Sequence, residues 1–94
     1  MNAALLSVRF RLHGCTSLKE KRSRLRGLKD RWGKNPSLAV CEAEDADALD
    51  RSLWCFLAMA SSGKVVEQLL TDVERDVQDG VDAEVIELER EWLT

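Results

Sequence analysis

The positions of apolar residues along the chain predict four strands. Apolar and polar residues alternate over residues 3–13, a period of two that is typical of a strand with one buried face. Residues 37–44 predict a short second strand. The nearly continuous apolar run over residues 53–60 predicts a third strand, either at the centre of the sheet or covered on both faces. Residues 82–93 alternate again and predict a fourth. One side of it holds Ile86, Leu88 and Trp92.

Two amphipathic segments between these strands predict helices. Ser17 and Glu20 have the spacing of a capping box, in which the serine hydroxyl accepts from the Glu20 backbone N–H and the carboxylate reaches back, so a helix begins there. It ends before Pro36, which cannot continue a helix. A second helix follows Ser62, a good cap residue, and ends at Gly80. The apolar stripe of the first helix is Leu18, Leu25, Leu28 and Trp32; that of the second is Val65, Val66, Leu69, Leu70, Val73 and Val77.

The order of these elements predicts the fold. Strand, helix, strand, strand, helix, strand is the ferredoxin-like βαββαβ arrangement, an α+β two-layer sandwich. We expect a four-stranded antiparallel sheet with both helices on one face. The 94 residues contain no linker or repeat, so we expect a single domain over residues 1–94.

Composition and cysteine usage exclude several classes of protein. No run of about 18 apolar residues could cross a membrane, and no basic region precedes the first apolar residues as in a signal peptide. Cys15, Cys41 and Cys55 are odd in number and lack a paired motif, which favours reduced thiols and a cytoplasmic location. Few aromatic rings are present, and Trp54 lies in an apolar run that favours packing over stacking on a base. The common single-strand RNA readers are therefore disfavoured.

No pattern in the sequence predicts catalysis, a cofactor or a metal site. The glycines end elements, and neither phosphate-loop motif is present. His13 and Cys15 flank Gly14 just before the first helix, where an imidazole could activate a thiol, but no orienting group or oxyanion site accompanies them. Together with the distant Cys41 they are too sparse a set for a metal-site prediction. We expect a non-enzymatic protein with no catalytic residues, no cofactor and no metal.

Charge is divided unevenly along the chain. Residues 1–34 carry ten lysines and arginines against two acidic residues, a net charge of +8. Residues 35–94 carry four against fifteen, a net charge of -11, which leaves -3 for the whole chain. This asymmetry predicts an anionic partner for one face, or two faces of the protein that neutralise each other.

A stripe of basic residues on the first helix is the main functional candidate. Its members are Lys19, Arg22, Arg26 and Lys29, whose spacing of three, four and three places them on one continuous face. Like charges so spaced repel each other, and the phosphates of RNA would offset that repulsion while releasing counterions. The alternatives are a solvated face, or pairing with the acidic second helix. Arg24 and Arg31 form a second, smaller basic group.

Lys21 falls on the apolar face of the first helix. Either its stem lies along the edge of the core while the ammonium reaches solvent, or the ammonium pairs with Glu42 or Glu44. Both roles are structural. We therefore expect a Lys21→Met variant to keep any ligand binding.

Arg9 and Arg11 lie on the strand face away from the helices. In this fold the last strand is the antiparallel neighbour of the first, which predicts cross-strand ion pairs to the glutamates of that strand. The alternative is an open sheet face that binds RNA or a second subunit. The glutamates are Glu87, Glu89 and Glu91.

One segment resembles the signature of a known family. Ser17-Leu18-Lys19-Glu20-Lys21-Arg22, followed by Leu25 and Leu28, resembles the Ser-Leu-Lys-x-Lys-Arg signature of the YlxP-like family of small uncharacterised bacterial proteins. Only this hexapeptide is specific, although the element order agrees over the whole chain. The resemblance implies a ferredoxin-like fold and a cytoplasmic setting. Because genes of the family often lie near those for translation and ribosome-maturation factors, it also implies a link to RNA.

The chain departs from the pattern of this family in two segments. Residues 13–16 lack the proline that relatives often carry before the helix. Residues 49–52 read Leu-Asp-Arg-Ser, where relatives tend to place an aromatic residue followed by polar and basic ones. The resemblance implies no catalytic residues, because no activity is established for the family.

Together these features predict a non-enzymatic RNA-binding or ribosome-associated accessory factor. It would contact phosphates through the basic stripe of the first helix. The alternative is a homodimeric structural or interaction protein without a nucleic-acid role, because a four-stranded sheet leaves two edges and a bare face to protect.

Overall fold

The computed structural model describes residues 1–94 and has the predicted order of elements. These are β1 (Asn2–Arg11), α1 (Leu18–Trp32), β2 (Leu38–Glu44), β3 (Arg51–Ala60), α2 (Gly63–Asp79) and β4 (Glu84–Trp92). The strands form one antiparallel sheet in the order β2-β3-β1-β4. Both helices pack on one face of it, as predicted for a ferredoxin-like α+β fold. Neither helix is long and apolar enough to cross a membrane.

The hydrophobic core lies between the sheet and the two helices. Every second residue of β1 points into it, which confirms the strand predicted from alternation. The fully buried side chains include Leu6, Val8 and Phe10 of β1, Leu28 of α1, and Val66, Leu70, Val73 and Val77 of α2. Burying each of these side chains stabilises the fold by about 2 kcal/mol. Because they form one cluster, the sheet and both helices depend on each other.

β3 occupies an interior position of the sheet, but only one of its faces is covered. Trp54 and Phe56 point into the core, whereas Leu57 and Met59 point away from the helices and are 37% and 50% exposed. Of the two predicted alternatives, the central position is confirmed and cover on both faces is wrong. The apolar run has no second layer of helices against it. We refer to the uncovered side as the open sheet face.

A β-bulge interrupts the alternation of β4. Arg9 pairs with Glu87 and Phe10 pairs with Val85, so Ile86 is the extra residue. The prediction that Ile86 shares a side with Leu88 is wrong, because an inserted residue reverses the alternation that precedes it. Val85 instead packs against the core beside Leu88, and Ile86 is exposed.

The capping box at the start of α1 is formed as predicted. Ser17 accepts from the Glu20 backbone N–H at 3.1 Å, and the Glu20 carboxylate accepts from the Thr16 backbone N–H at 2.8 Å. That backbone donor is the main reason the pKa of Glu20 lies below its ordinary value of 4.5, and the Cys15 side chain and Arg24 lower it further. Because the pKa is lower in the folded state, this stabilisation is present above the ordinary value. It is lost as pH falls through the folded-state pKa.

Replacing the cap residue tests this local structure. Ser17→Ala should lower the free energy of unfolding by about 1 kcal/mol, because the Glu20 N–H loses its acceptor. Urea denaturation followed by circular dichroism measures the change. Ser62→Ala is the matched control, since Ser62 caps α2 without a side-chain hydrogen bond and should matter less. Equal losses in the two variants would contradict the assigned role of Ser17.

Candidate functional site

A cleft of about 600 Å³ lies where α1 meets β2, β3 and the loop that joins these two strands. We refer to it as the basic cleft. Its wall on the helix side carries five basic residues, because α1 presents successive side chains three and four positions apart to the same side. These residues are Lys19, Lys21, Arg22, Arg26 and Lys29. The structure therefore brings all the predicted site residues to one place.

The four residues of the predicted stripe have almost no carboxylate partners within the chain. All four are exposed. Lys19, Arg22 and Lys29 have no carboxylate within 4.0 Å, and Arg26 has only its helical neighbour Asp30, 3.9 Å away. An exposed pair of this kind contributes little, since water and salt screen it. The stripe is therefore available to an anion from outside the chain.

The acidic second helix does not neutralise this stripe, so that alternative is wrong for its four residues. Asp76 of α2 instead accepts from Arg31 at 2.8 Å and from the Trp32 indole at 2.6 Å. Arg24 lies 3.5 Å from Asp82. Arg24 and Arg31, the smaller basic group, thus make the contacts with the acidic half of the chain. The cations of α1 that have carboxylate partners in the acidic half of the chain are thus a different group from the four cations of the stripe.

Lys21 is 2% exposed and holds the loop between β2 and β3. Its ammonium donates to the carbonyl oxygens of Asp45 at 2.6 Å and Ala48 at 2.7 Å, and it lies 3.1 Å from the Glu42 carboxylate. These partners occupy its three N–H bonds, so none remains for a ligand. The predicted pairing with Glu42 is confirmed. The alternative of an ammonium that reaches solvent is wrong, because the loop carbonyls close over it.

Two acidic residues extend this network from the cleft to the open sheet face. Glu42 accepts a short hydrogen bond from the buried Ser52 hydroxyl. Asp45 has a positive φ of 64°, and its carboxylate lies 3.5 Å from Arg9 and 3.4 Å from Arg51. The loop is thus held from two sides, by Lys21 through its carbonyls and by the two arginines through a side chain.

The predicted ion pairs between β1 and β4 are absent. The register does place Arg9 opposite Glu87 and Arg11 opposite Glu84. The side chain of Arg9 reaches Asp45 instead, and Arg11 has no carboxylate within 4.0 Å. The ion-pair prediction is wrong because the loop after β2 offers Arg9 a carboxylate that the strand pattern does not reveal. The glutamates of β4 remain on the open sheet face without arginine partners.

The floor of the basic cleft contains an unsatisfied hydrogen-bond donor. By the floor we mean the side of the cleft formed by the sheet, with Trp54 and Glu42; Leu18 and Leu25 of α1 line the cleft as well. Trp54 is 4% exposed, as expected for a packed side chain, and its indole Nε1–H has no hydrogen-bond partner. No other buried side-chain nitrogen or oxygen in the chain lacks one. Leaving such a donor unpaired costs about 1–3 kcal/mol. The sequence alone does not reveal this donor, because its state depends on every neighbour in the fold.

A comparison with known protein families identifies the family of the chain. The family described as "Protein of unknown function (DUF503)" matches residues 3–90. The chain belongs to this family. No curated protein matches its sequence. The DUF503 match covers β1 to β4 almost completely and carries no activity, so the function of the chain has to be argued from its side chains.

His13 and Cys15 of this DUF503 chain each have a partner elsewhere. His13 Nε2 lies 3.1 Å from Glu84, and the Cys15 thiol donates to the Ser17 carbonyl oxygen at 3.4 Å. The spacing of the two residues suggested that the imidazole could activate the thiol, but neither side chain is the other's partner in these contacts. No three histidine, cysteine or carboxylate side chains come together as a metal site would require.

Substituting Lys21 tests the division between structural and binding lysines. Lys21→Met should lower the free energy of unfolding by about 3 kcal/mol, because Glu42 and the loop carbonyls lose their cation. The folded variant should keep ligand binding. Lys19→Met, which changes an exposed lysine of the same cleft, should alter stability by less than about 0.5 kcal/mol. Urea denaturation compares them, and two equally stable variants would contradict the structural role of Lys21.

Proposed function

We propose that the protein is a non-enzymatic RNA-binding factor of the bacterial cytoplasm, an accessory to the ribosome or to RNA maturation. The observation that carries the proposal is the stripe of α1, whose four cations line one cleft and lack close carboxylates except for Asp30. A stripe of unpaired like charges is unfavourable in the free protein. Phosphates remove this cost and release counterions when they bind.

The dimensions of the stripe suit a nucleic-acid backbone. Lys19 and Lys29 are ten residues apart, which is about 15 Å along a helix. Along the axis of a duplex each strand advances about 3.4 Å per phosphate, so several phosphates fall within that length. Four cations on one face can thus contact successive phosphates of one strand. A small inorganic anion would use only one or two of them.

The resemblance to YlxP-like proteins supports the same proposal. In the shared hexapeptide, Ser17 caps α1, Lys19 and Arg22 line the basic cleft, and Lys21 holds the loop on the other side of it. The segment therefore combines two proposed phosphate contacts with the residues that position them. The genes of that family often lie near those of translation and ribosome-maturation factors, which favours RNA over other anionic polymers.

Salt dependence and charge substitution test RNA binding. Fluorescence anisotropy of a labelled structured RNA should show affinity falling about 50- to 150-fold between roughly 50 and 200 mM salt if four phosphates are contacted. Arg22→Gln with Arg26→Gln should weaken binding and reduce the salt dependence by about half. The matched control, Lys64→Gln with Arg75→Gln, removes the same charge from exposed positions on α2 and should change little. No binding at the lower salt, or equal losses in both double variants, would overturn the proposal.

The open sheet face supports a second candidate, a homodimer with a structural or interaction role. Leu57 and Met59 are exposed there beside half-buried Leu5 and Leu53. Apolar side chains grouped on one exposed face are typical of interaction surfaces. The face also carries both signs of charge, glutamates along β4 and arginines at one end of β1 and β3. In a two-fold symmetric dimer, the apolar centres of the two faces could therefore pack together, and the glutamates of one copy could pair with the arginines of the other at the rims. Since α1 lies on the other side of the sheet, such a dimer leaves the basic cleft accessible.

Sedimentation velocity over a wide concentration range tests the dimer. The wild-type protein should sediment as a dimer, and Met59→Glu should shift it to the monomer because a buried, unpaired carboxylate opposes association. Val65→Glu is the matched control: Val65 is 51% exposed, against 50% for Met59, but lies on α2. A wild-type protein that is monomeric throughout would refute the dimer. A Val65→Glu variant that dissociates equally would refute the assigned face.

A further inference from the structure

We infer that the basic cleft takes one unpaired nucleotide, with its phosphates on the stripe of α1 and the edge of its base at the floor. The inference rests on the proposed RNA binding and specifies which part of an RNA is recognised. A stripe of cations alone would hold the backbones of paired and unpaired strands alike. The floor beneath the stripe distinguishes between them.

The size and lining of the basic cleft suit a nucleotide. Its volume of about 600 Å³ lies within the roughly 300–1,000 Å³ typical of pockets for small organic ligands. The cations belong to α1, and the apolar part of the lining comes from Leu18 and Leu25 of α1 and from Trp54 of the sheet. A nucleotide has the same division, since its phosphate is anionic and the faces of its base are apolar. A duplex is too wide to place a base there.

The indole of Trp54 supplies a hydrogen-bond donor at this floor. Its Nε1–H has no partner within the chain and is closed off from solvent, so the side chains around it must shift before a base in the cleft reaches it. Buried donors in folded proteins are nearly always satisfied by the protein, by water or by a ligand. A ring nitrogen or carbonyl oxygen on the edge of a base is an acceptor of the required kind. Binding such a group would remove the cost of the unpaired donor.

Glu42 supplies an acceptor beside this donor. Its Oε2 atom contacts Lys21 and the Ser52 hydroxyl, whereas its Oε1 atom has no hydrogen bond. Glu42 is directly opposite Trp54 in the β2–β3 register, and directly opposed residues have Cβ atoms about 5 Å apart on the same face. Two opposed residues thus carry an unpaired donor and a carboxylate oxygen that is free to accept.

This pairing of donor and acceptor matches the Watson–Crick edge of a base. Every base presents an N–H donor next to an acceptor on that edge. In a duplex both groups are used in base pairing, so only an unpaired base can offer them to a protein. The open sheet face has no aromatic ring on which bases could stack. The cleft is therefore the place where this chain could read an unpaired nucleotide.

Binding at the Trp54 indole can be measured by NMR on the wild-type protein, without a substitution in the cleft. In a 15N-labelled sample the three tryptophans give three indole N–H signals, which Trp32→Phe and Trp92→Phe assign. A single-stranded octanucleotide should shift the Trp54 signal, and the same strand annealed to its complement should not. The Trp32 indole, bonded to Asp76, and the exposed Trp92 indole should remain in place. A separate titration with each of the four monophosphates, of adenosine, guanosine, cytidine and uridine, tests whether the cleft binds free nucleotides as well.

A substitution then measures the contribution of the donor. Trp54→Phe keeps an aromatic ring but removes the N–H, so it should weaken single-strand binding about fivefold and leave the salt dependence unchanged. Trp92→Phe is the matched control and should bind as the wild type does. If Trp54→Phe fails to fold, the indole signals of the wild-type protein still decide the question.

The outcomes separate this inference from the proposed function. Salt-dependent RNA binding with equal affinity for duplex and single strand, and an unmoved Trp54 signal, would overturn the nucleotide site but leave RNA binding in place. A Trp54 signal that moves with monophosphates, without RNA binding at low salt, would keep the site and overturn the proposed function. No binding of either kind would overturn both.

Discussion

The buried ammonium of Lys21 is the interaction on which the stability of the fold around the basic cleft depends. Lysine is rarely buried without partners, because removing its charge from water is costly. Here two loop carbonyls and Glu42 replace the water. The same contacts connect the two walls of the basic cleft, since Lys21 belongs to α1 and its partners belong to β2 and the following loop. One side chain therefore stabilises the packing of α1 against β2 and the following loop.

The sorting of charges on α1 follows from where the helix sits. On the side toward α2, Arg31 meets Asp76, and Arg24 meets Asp82 at the entry to β4. On the side toward β2 the Glu42 carboxylate is already held by Lys21. The acidic half of the chain thus neutralises one flank of the helix and leaves the other free. The uneven charge of the chain is only partly balanced within the fold.

The fold and the location of the stripe were predictable because they depend on regular repeats. Periods of two and of about 3.6 residues identify strands and helices, and the spacing from Lys19 to Lys29 fixes one helix face. The bulge at Ile86 was not predictable, since one inserted residue leaves no mark in the pattern. The Arg9–Asp45 contact depends on a loop residue with positive φ. The unpaired Trp54 donor depends on all of its neighbours, which no local pattern specifies.

The bulge in β4 also has a consequence for how far the sheet can grow. β4 is an outer strand, and a straight, uncharged outer strand is a template on which other chains add strands to form fibrils. The bulge twists this edge locally, and a run of glutamates along it makes the approach of an identical strand repulsive. Growth by edge-to-edge addition of strands is thereby opposed at β4.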